Sequence, residues 1–127
     1  RMGAYGDPAA APIDVWEWIA TNAQGYTGYT HQWARPGFDA RILSYVMASA
    51  DTEKQAQELQ ARKIRYFRVK RKNDAPITRE TECLSDSVGK SCADCLLCDG
   101  GKKGKSVYIN VHGAKANKFN PDLIARA

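Results

Sequence analysis

No run of apolar residues in this chain approaches the ~18 needed for a membrane-spanning helix, so no membrane association is expected. The opening residues RMGAYGDP lack the apolar centre of a secretory signal, which makes the cytosol the expected compartment. A start at Arg1 rather than Met suggests a fragment or a processed product. GxGxxG, the P-loop, HExxH and a paired nucleophile and base are all missing. Cysteine is absent from residues 1–82 and again from 99–127.

All four cysteines, Cys83, Cys92, Cys95 and Cys98, fall in the segment ECLSDSVGKSCADCLLCDGG. In a reducing compartment structural disulfides are disfavoured. Two bridges among cysteines this close would also force at least one strained loop. The spacing C-x8-C-x2-C-x2-C therefore reads as a four-thiolate metal site, either a [4Fe–4S] cluster or Zn2+. Three cysteines in one C-x2-C-x2-C run plus a remote fourth is an arrangement iron–sulfur clusters use. Four-cysteine zinc sites more often pair two C-x2-C units a dozen or more residues apart. With all four ligands supplied by the chain, no coordination position stays open, so a structural or electron-transfer role is expected rather than catalysis.

The 127 residues, 43% of them hydrophobic, suit one domain with a modest core. Strand-like and helix-like patterns alternate. Strands are predicted at 2–6, 25–33, 43–50, 64–70 and 106–113. Helices are predicted from Pro12 to about Asn22 and over 52–63, with Asp51 or Thr52 as cap. A short helical stretch is expected near 38–44 and another after Pro121. This order predicts an α/β fold, a mostly parallel sheet of about five strands with flanking helices, as an open sheet or half-barrel. The metal loop, 80–105, would be inserted before the last strand.

In such sheets ligands bind beyond the carboxyl ends of the strands. Those positions hold Asp7, His31, Asp51, Arg68 and His112. Asp7, His31 and Asp51 are the candidate pocket, with His31 its centre.

Charge is uneven. Residues 1–61 carry four Lys or Arg against seven Asp or Glu, whereas residues 62–127 carry fifteen against seven. Arg65, Arg68, Lys70, Arg71 and Lys72, interleaved with Tyr66 and Phe67, together with Lys102 and Lys103, form a candidate nucleic-acid or acidic-partner surface. Phe67 and Val69 share one strand face and are expected in the core.

The segments GAYGDPAAAPIDVW, TGYTHQW, YVMASAD, YFRV and EC…SCADCLLCDG, which span nearly the whole chain, resemble an uncharacterised family of phage- and plasmid-encoded proteins. Members of that family look longer, with a cysteine-containing half ahead of the part matched here. The resemblance implies a carboxyl-terminal part and a missing amino-terminal half. The strand–helix order also looks like the second half of the barrel in phage-encoded radical S-adenosylmethionine-type proteins. Gly6-Asp7, Thr27–His31 and Ser49–Asp51 would then be strand ends. The C-x3-C-x2-C motif of that superfamily is absent, and Cys92, Cys95 and Cys98 sit where an auxiliary cluster would. These resemblances imply three alternatives: a mobile-element metalloprotein, part of an enzyme with an auxiliary cluster, or a counter-defence inhibitor acting on a host nucleoprotein. An incomplete barrel would leave an exposed edge, which favours a homodimer or a missing domain.

Overall fold

The structure is a computed structural model. It describes the backbone of residues 1–126 and the side chains of residues 1–123. The architecture is α/β, with five strands in one all-parallel sheet. In chain order the elements are α1 (Ile13–Asn22), β1 (Tyr29–Thr30), β2 (Met47–Ala50), α2 (Glu53–Ala61), β3 (Tyr66–Lys70), β4 (Glu80–Glu82), α3 (Leu84–Val88), α4 (Cys92–Cys95), β5 (Ser106–Asn110) and α5 (Pro121–Arg126). The predicted 38–44 helix is a 3-10 turn at Ala40–Ser44. Among the described residues no helix is long and apolar enough to cross a membrane.

Four of the five predicted strands are present, each shorter than its sequence pattern. The fifth is displaced. Residues 2–6 form turns, not a strand. Gly3 has φ +73°, and a Cβ there would lie 2.6 Å from both the Gly6 carbonyl oxygen and Pro8 Cδ. Asp7 then caps a 3-10 turn over Pro8–Ala10 by accepting from the Ala9 N–H at 2.9 Å. The fifth strand is Glu80–Glu82, inside the segment expected to be metal loop, so the cysteine-bearing connection runs from Cys83 to Lys105.

The sheet order is β1-β2-β3-β5-β4. The first three connections step one way across the sheet, and the connection from β4 to β5 steps back. Right-handed crossovers then require that return to lie on the opposite face. The packing agrees. α2 buries Ala56 and Leu59 against Ala48, Ala50 and Tyr66 on one face. The cysteine segment covers Met47, Phe67 and Val107 on the other, through Cys83, Leu97 and Cys98. The cysteine segment thus stands where a covering helix would stand in an ordinary doubly covered parallel sheet. This order is that of an open sheet with two edges, β1 and β4. A half-barrel would keep its strands in consecutive order.

Local chemistry explains the helices. Thr52 Oγ1 accepts from the Gln55 N–H at 3.1 Å, and Gln55 Oε1 accepts from the Asp51 N–H at 2.7 Å, a reciprocal cap that starts α2. α1 lays Ile13, Trp16 and Ile19 on a separate cluster around Met2, Ile42 and Val46. The Trp16 indole N–H donates to the Pro8 carbonyl at 2.6 Å, which ties α1 to the turn before it.

Candidate metal centre

The four cysteines occupy ends of short elements. Cys83 follows β4 directly and precedes α3. Cys92 and Cys95 begin and end α4, whose cap is Ser91. Leu96 adopts a left-handed backbone, φ 52°, which turns the chain so that Cys98 folds back toward the sheet. The turn is held at both ends of the segment. Cys83 N–H donates to the Tyr108 carbonyl at 2.8 Å, and the Cys98 carbonyl accepts from Gly28 N–H at 3.3 Å. Gly100 N–H donates to the Tyr45 carbonyl at 3.1 Å, at a point so close to the Val46 backbone that no side chain fits.

All four cysteines line one cavity of about 170 Å3. Its floor is the apolar face of the sheet, Phe67, Val107 and Ile109. Tyr29 stacks on Phe67 at 4.8 Å between ring centroids, and the Arg1 guanidinium lies 4.8 Å over the Tyr29 ring. Burial pushes the Cys98 thiol up to about 12, and the other three thiols add to the rise through their charge, opposed by Arg65. The Cys98 thiol therefore resists ionising unless a cation shares the space. Among the described residues no group of three or more His, Cys, Asp or Glu is spaced to hold a single ion.

The residue that secures this loop is Arg65. Its Nη2 donates to the Leu97 carbonyl at 2.8 Å and its Nη1 to the Asp99 and Lys102 carbonyls, each at 3.0 Å. Nε donates to the Lys105 carbonyl at 3.0 Å. A planar guanidinium offers five donors in fixed directions, which suits several carbonyls at once. Read as a phosphate contact in the sequence, Arg65 is instead spent on the backbone of the cysteine segment.

Two more of the basic residues face inward. Arg68 is 3% exposed and bonds Glu80 twice, Nε to Oε1 at 2.8 Å and Nη2 to Oε2 at 2.7 Å. Lys70 is 4% exposed. It donates to Asn110 Oδ1 at 2.6 Å and the Asp74 carbonyl at 2.8 Å, and it sits 4.8 Å over the Tyr108 ring. Neither is placed to meet a polyanion. Arg71 is exposed and pairs with Asp74 at 3.0 Å. Lys72, Lys102 and Lys103 are exposed.

The strand-end residues divide as well. Asp7, His31 and Asp51 meet beyond the carboxyl ends of β1 and β2. Asp7 Oδ1 accepts from Thr30 Oγ1 at 2.6 Å, Asp7 Oδ2 accepts from the His31 N–H at 2.8 Å, and His31 Nε2 lies 3.4 Å from Asp51 Oδ1. The His31 side chain is 58% exposed, so the three form a surface chain of contacts. The Asp51 hydrogen bond raises the His31 pKa, partial burial opposes it, and the Asp51 and Asp7 charges reinforce the rise. Arg68 belongs to the Glu80 pair, and His112 is exposed beyond β5.

Sequence reasoning missed Glu80 and Asn110, the two residues that take up the buried charges of Arg68 and Lys70. Their signal was present. Glu80 and Glu82 share a strand parity and face a strand carrying Arg68 and Lys70 at the same parity, with Asn110 between. No protein-family model matches this chain, and no curated protein or solved structure matches it.

Proposed function

We propose that this is a metalloprotein in which Cys83, Cys92, Cys95 and Cys98 hold an iron–sulfur cluster in a structural or electron-transfer role. One observation carries the reading: all four thiols line the same apolar cavity of about 170 Å3, on the face of the sheet opposite α2. A C-x2-C-x2-C run with one remote cysteine favours a four-iron cluster over a zinc knot, whose ligands more often come as two C-x2-C pairs. The donor set fits: four soft thiolates, no carboxylate or imidazole among them, and no position left for substrate. When bound, the cluster would cross-link the loop and, if its potential is accessible, relay single electrons. The chain's own part is to hold the thiols against Phe67, Val107 and Ile109 and to close the loop through Arg65.

Elemental analysis of protein purified without oxygen tests this directly. About four irons per chain with absorbance near roughly 400 nm is the expected result. One zinc and no colour would replace the cluster with a zinc knot. Neither metal after anaerobic reconstitution would remove the metal reading altogether.

A further inference from the structure

A groove of about 930 Å3 crosses the amino ends of β3, β5 and β4. Its walls are the last turn of α2, the residues leading into β3 and β4, and Lys102–Gly104 leading into β5. The lining holds Lys63, Arg65, Arg79, Lys102 and Lys103, and no Asp or Glu. Arg65 is consumed by the carbonyls of the cysteine segment. The other four are exposed, and none of them makes an ion pair among the described residues.

A second observation falls on the same groove. Lys63 and Arg79 have left-handed backbones, φ 57° and 67°, which leaves Leu96 as the one other described non-glycine residue with positive φ. Glycine or asparagine would hold either turn with less strain. Left-handed non-glycine residues cluster at functional sites, and although Lys63 also ends α2 in the usual left-handed way, both residues place a cation on one groove. The negative end of the α2 dipole also abuts this groove. Arg62, paired with Glu58 at 3.9 Å, and Lys63 sit at that end to offset it.

We infer that this groove binds the phosphate backbone of a nucleic acid. β3 and β4 flank β5, so Lys63 ahead of β3 and Arg79 ahead of β4 stand about two strand spacings apart, roughly 10 Å. Cations spread along a groove of that width match a run of phosphates, which recur about every 3.4 Å along each strand. No aromatic side chain lines the groove, so bases have nothing to stack on and recognition follows the backbone without reading sequence. The inference goes beyond the metal centre and does not depend on which metal the cysteines hold.

Fluorescence anisotropy of the full chain with a labelled 20-base-pair duplex, over a series of salt concentrations, tests it. The expected slope of log K against log salt is about −0.9 per phosphate engaged. The Lys102→Glu/Lys103→Glu variant should bind at least tenfold more weakly, with a shallower slope. Lys72→Glu, outside the groove, should stay within about twofold, since distant surface charges are screened at moderate salt. Arg79→Gly separates charge from fold. It relieves the strained φ, so its melting temperature should hold or rise while binding falls several-fold. Wild-type binding by the groove variants, equal loss in Lys72→Glu, or no duplex binding at low salt would overturn the inference. So would equal affinity for poly-glutamate, which would mark a face for acidic proteins, or binding of pyrophosphate alone, which would mark a site for free phosphates.

Discussion

The Arg65 guanidinium and the Leu97 carbonyl meet at 2.8 Å across 32 residues of chain, and the same side chain closes on Asp99, Lys102 and Lys105. One residue ahead of β3 therefore fixes where the cysteine segment sits on the sheet. Lysine keeps the charge but loses the fork, so Arg65→Lys is not a mild change here. Hydrogen bonds to a charged group contribute about 1.5–3 kcal/mol, and the carbonyls left behind lose a partner. Arg65→Lys should lower stability by about 1–3 kcal/mol, and Arg65→Ala by more. Metal release to a chelator should quicken in both, because the loop opens more often. Denaturant unfolding and stopped-flow chelation measure the two effects. Unchanged release in Arg65→Ala would mean that the loop is held by the cysteines alone.

A fully buried cation gives a sharper stability test. Arg68 and Glu80 have side chains 4% and 0% exposed and share two short hydrogen bonds. Removing one partner strands the other, which costs about 3–5 kcal/mol, whereas removing both for apolar residues costs far less. Glu80→Gln should thus destabilise more than Arg68→Met/Glu80→Leu, as chemical denaturation would register. A single variant milder than the double would contradict the pairing.

The same pair sets an acid limb. Burial raises the Glu80 pKa, but hydrogen bonds from Arg68, the Ile77 N–H and the Tyr66 hydroxyl outweigh it and hold Glu80 below the ordinary glutamate range. A carboxylate depressed in the folded state stabilises fully above its unfolded pKa, about 4.3. That contribution is lost as pH falls through the lower folded value. Melting temperature against pH should therefore drop below about pH 4 in the wild type and drop less steeply in Glu80→Gln.

Arg68 and Lys70 also show where sequence reading loses its grip. They alternate with Phe67 and Val69, a pattern that in a half-solvated strand puts charge outward. A parallel sheet covered on both faces has no outward face, and the polar parity is buried against Glu80 and Asn110. Glu80–Glu82 escaped notice for the same reason. Glu-Thr-Glu has little strand propensity, and it becomes an edge strand because Glu80 reaches a buried Arg68 on the second strand over. By contrast, Tyr66–Lys70 and Ser106–Asn110 were legible from their β-branched and aromatic content. The gathering of the four cysteines at one cavity was legible from their spacing, since all four fall within sixteen residues. Its position on the face opposite α2 was not legible, because that depends on the strand order.

Metal and fold should be coupled at that cluster. Ligand binding in a small domain is folding free energy. Chelator treatment should lower the wild-type melting temperature by a large margin. Cys95→Ser should start low and respond little to chelator, because the contribution is already gone. A differential scanning experiment with both proteins, each with and without chelator, gives the full cycle. A Cys95→Ser protein that melts like the metal-loaded wild type would leave the cysteines without a structural task.

At the other end of the sheet, the His31 imidazole and the Asp51 carboxylate lie 3.4 Å apart, and Asp7 fixes the His31 backbone through its N–H. The Asp51 hydrogen bond and the two nearby negative charges raise the histidine pKa against partial burial. A raised folded-state pKa stabilises the protein at pH below the unfolded value, about 6.5. That contribution disappears as pH rises through the folded value. The effect is small at a half-exposed pair, since solvent screens it. It is still readable as a histidine chemical-shift titration with its midpoint above about 6.5. Asp51→Asn should move that midpoint down and flatten the alkaline side of the stability profile. Asp7→Asn should shift the midpoint less, because Asp7 acts on the ring through charge alone, yet lower stability more. Its carboxylate oxygens take the Ala9 N–H, the Thr30 hydroxyl and the His31 N–H together, and an amide keeps only one of those two acceptors. If Asp51→Asn leaves the His31 titration unmoved, the two side chains do not interact in solution, and the chain from Asp7 to Asp51 ends at the histidine backbone.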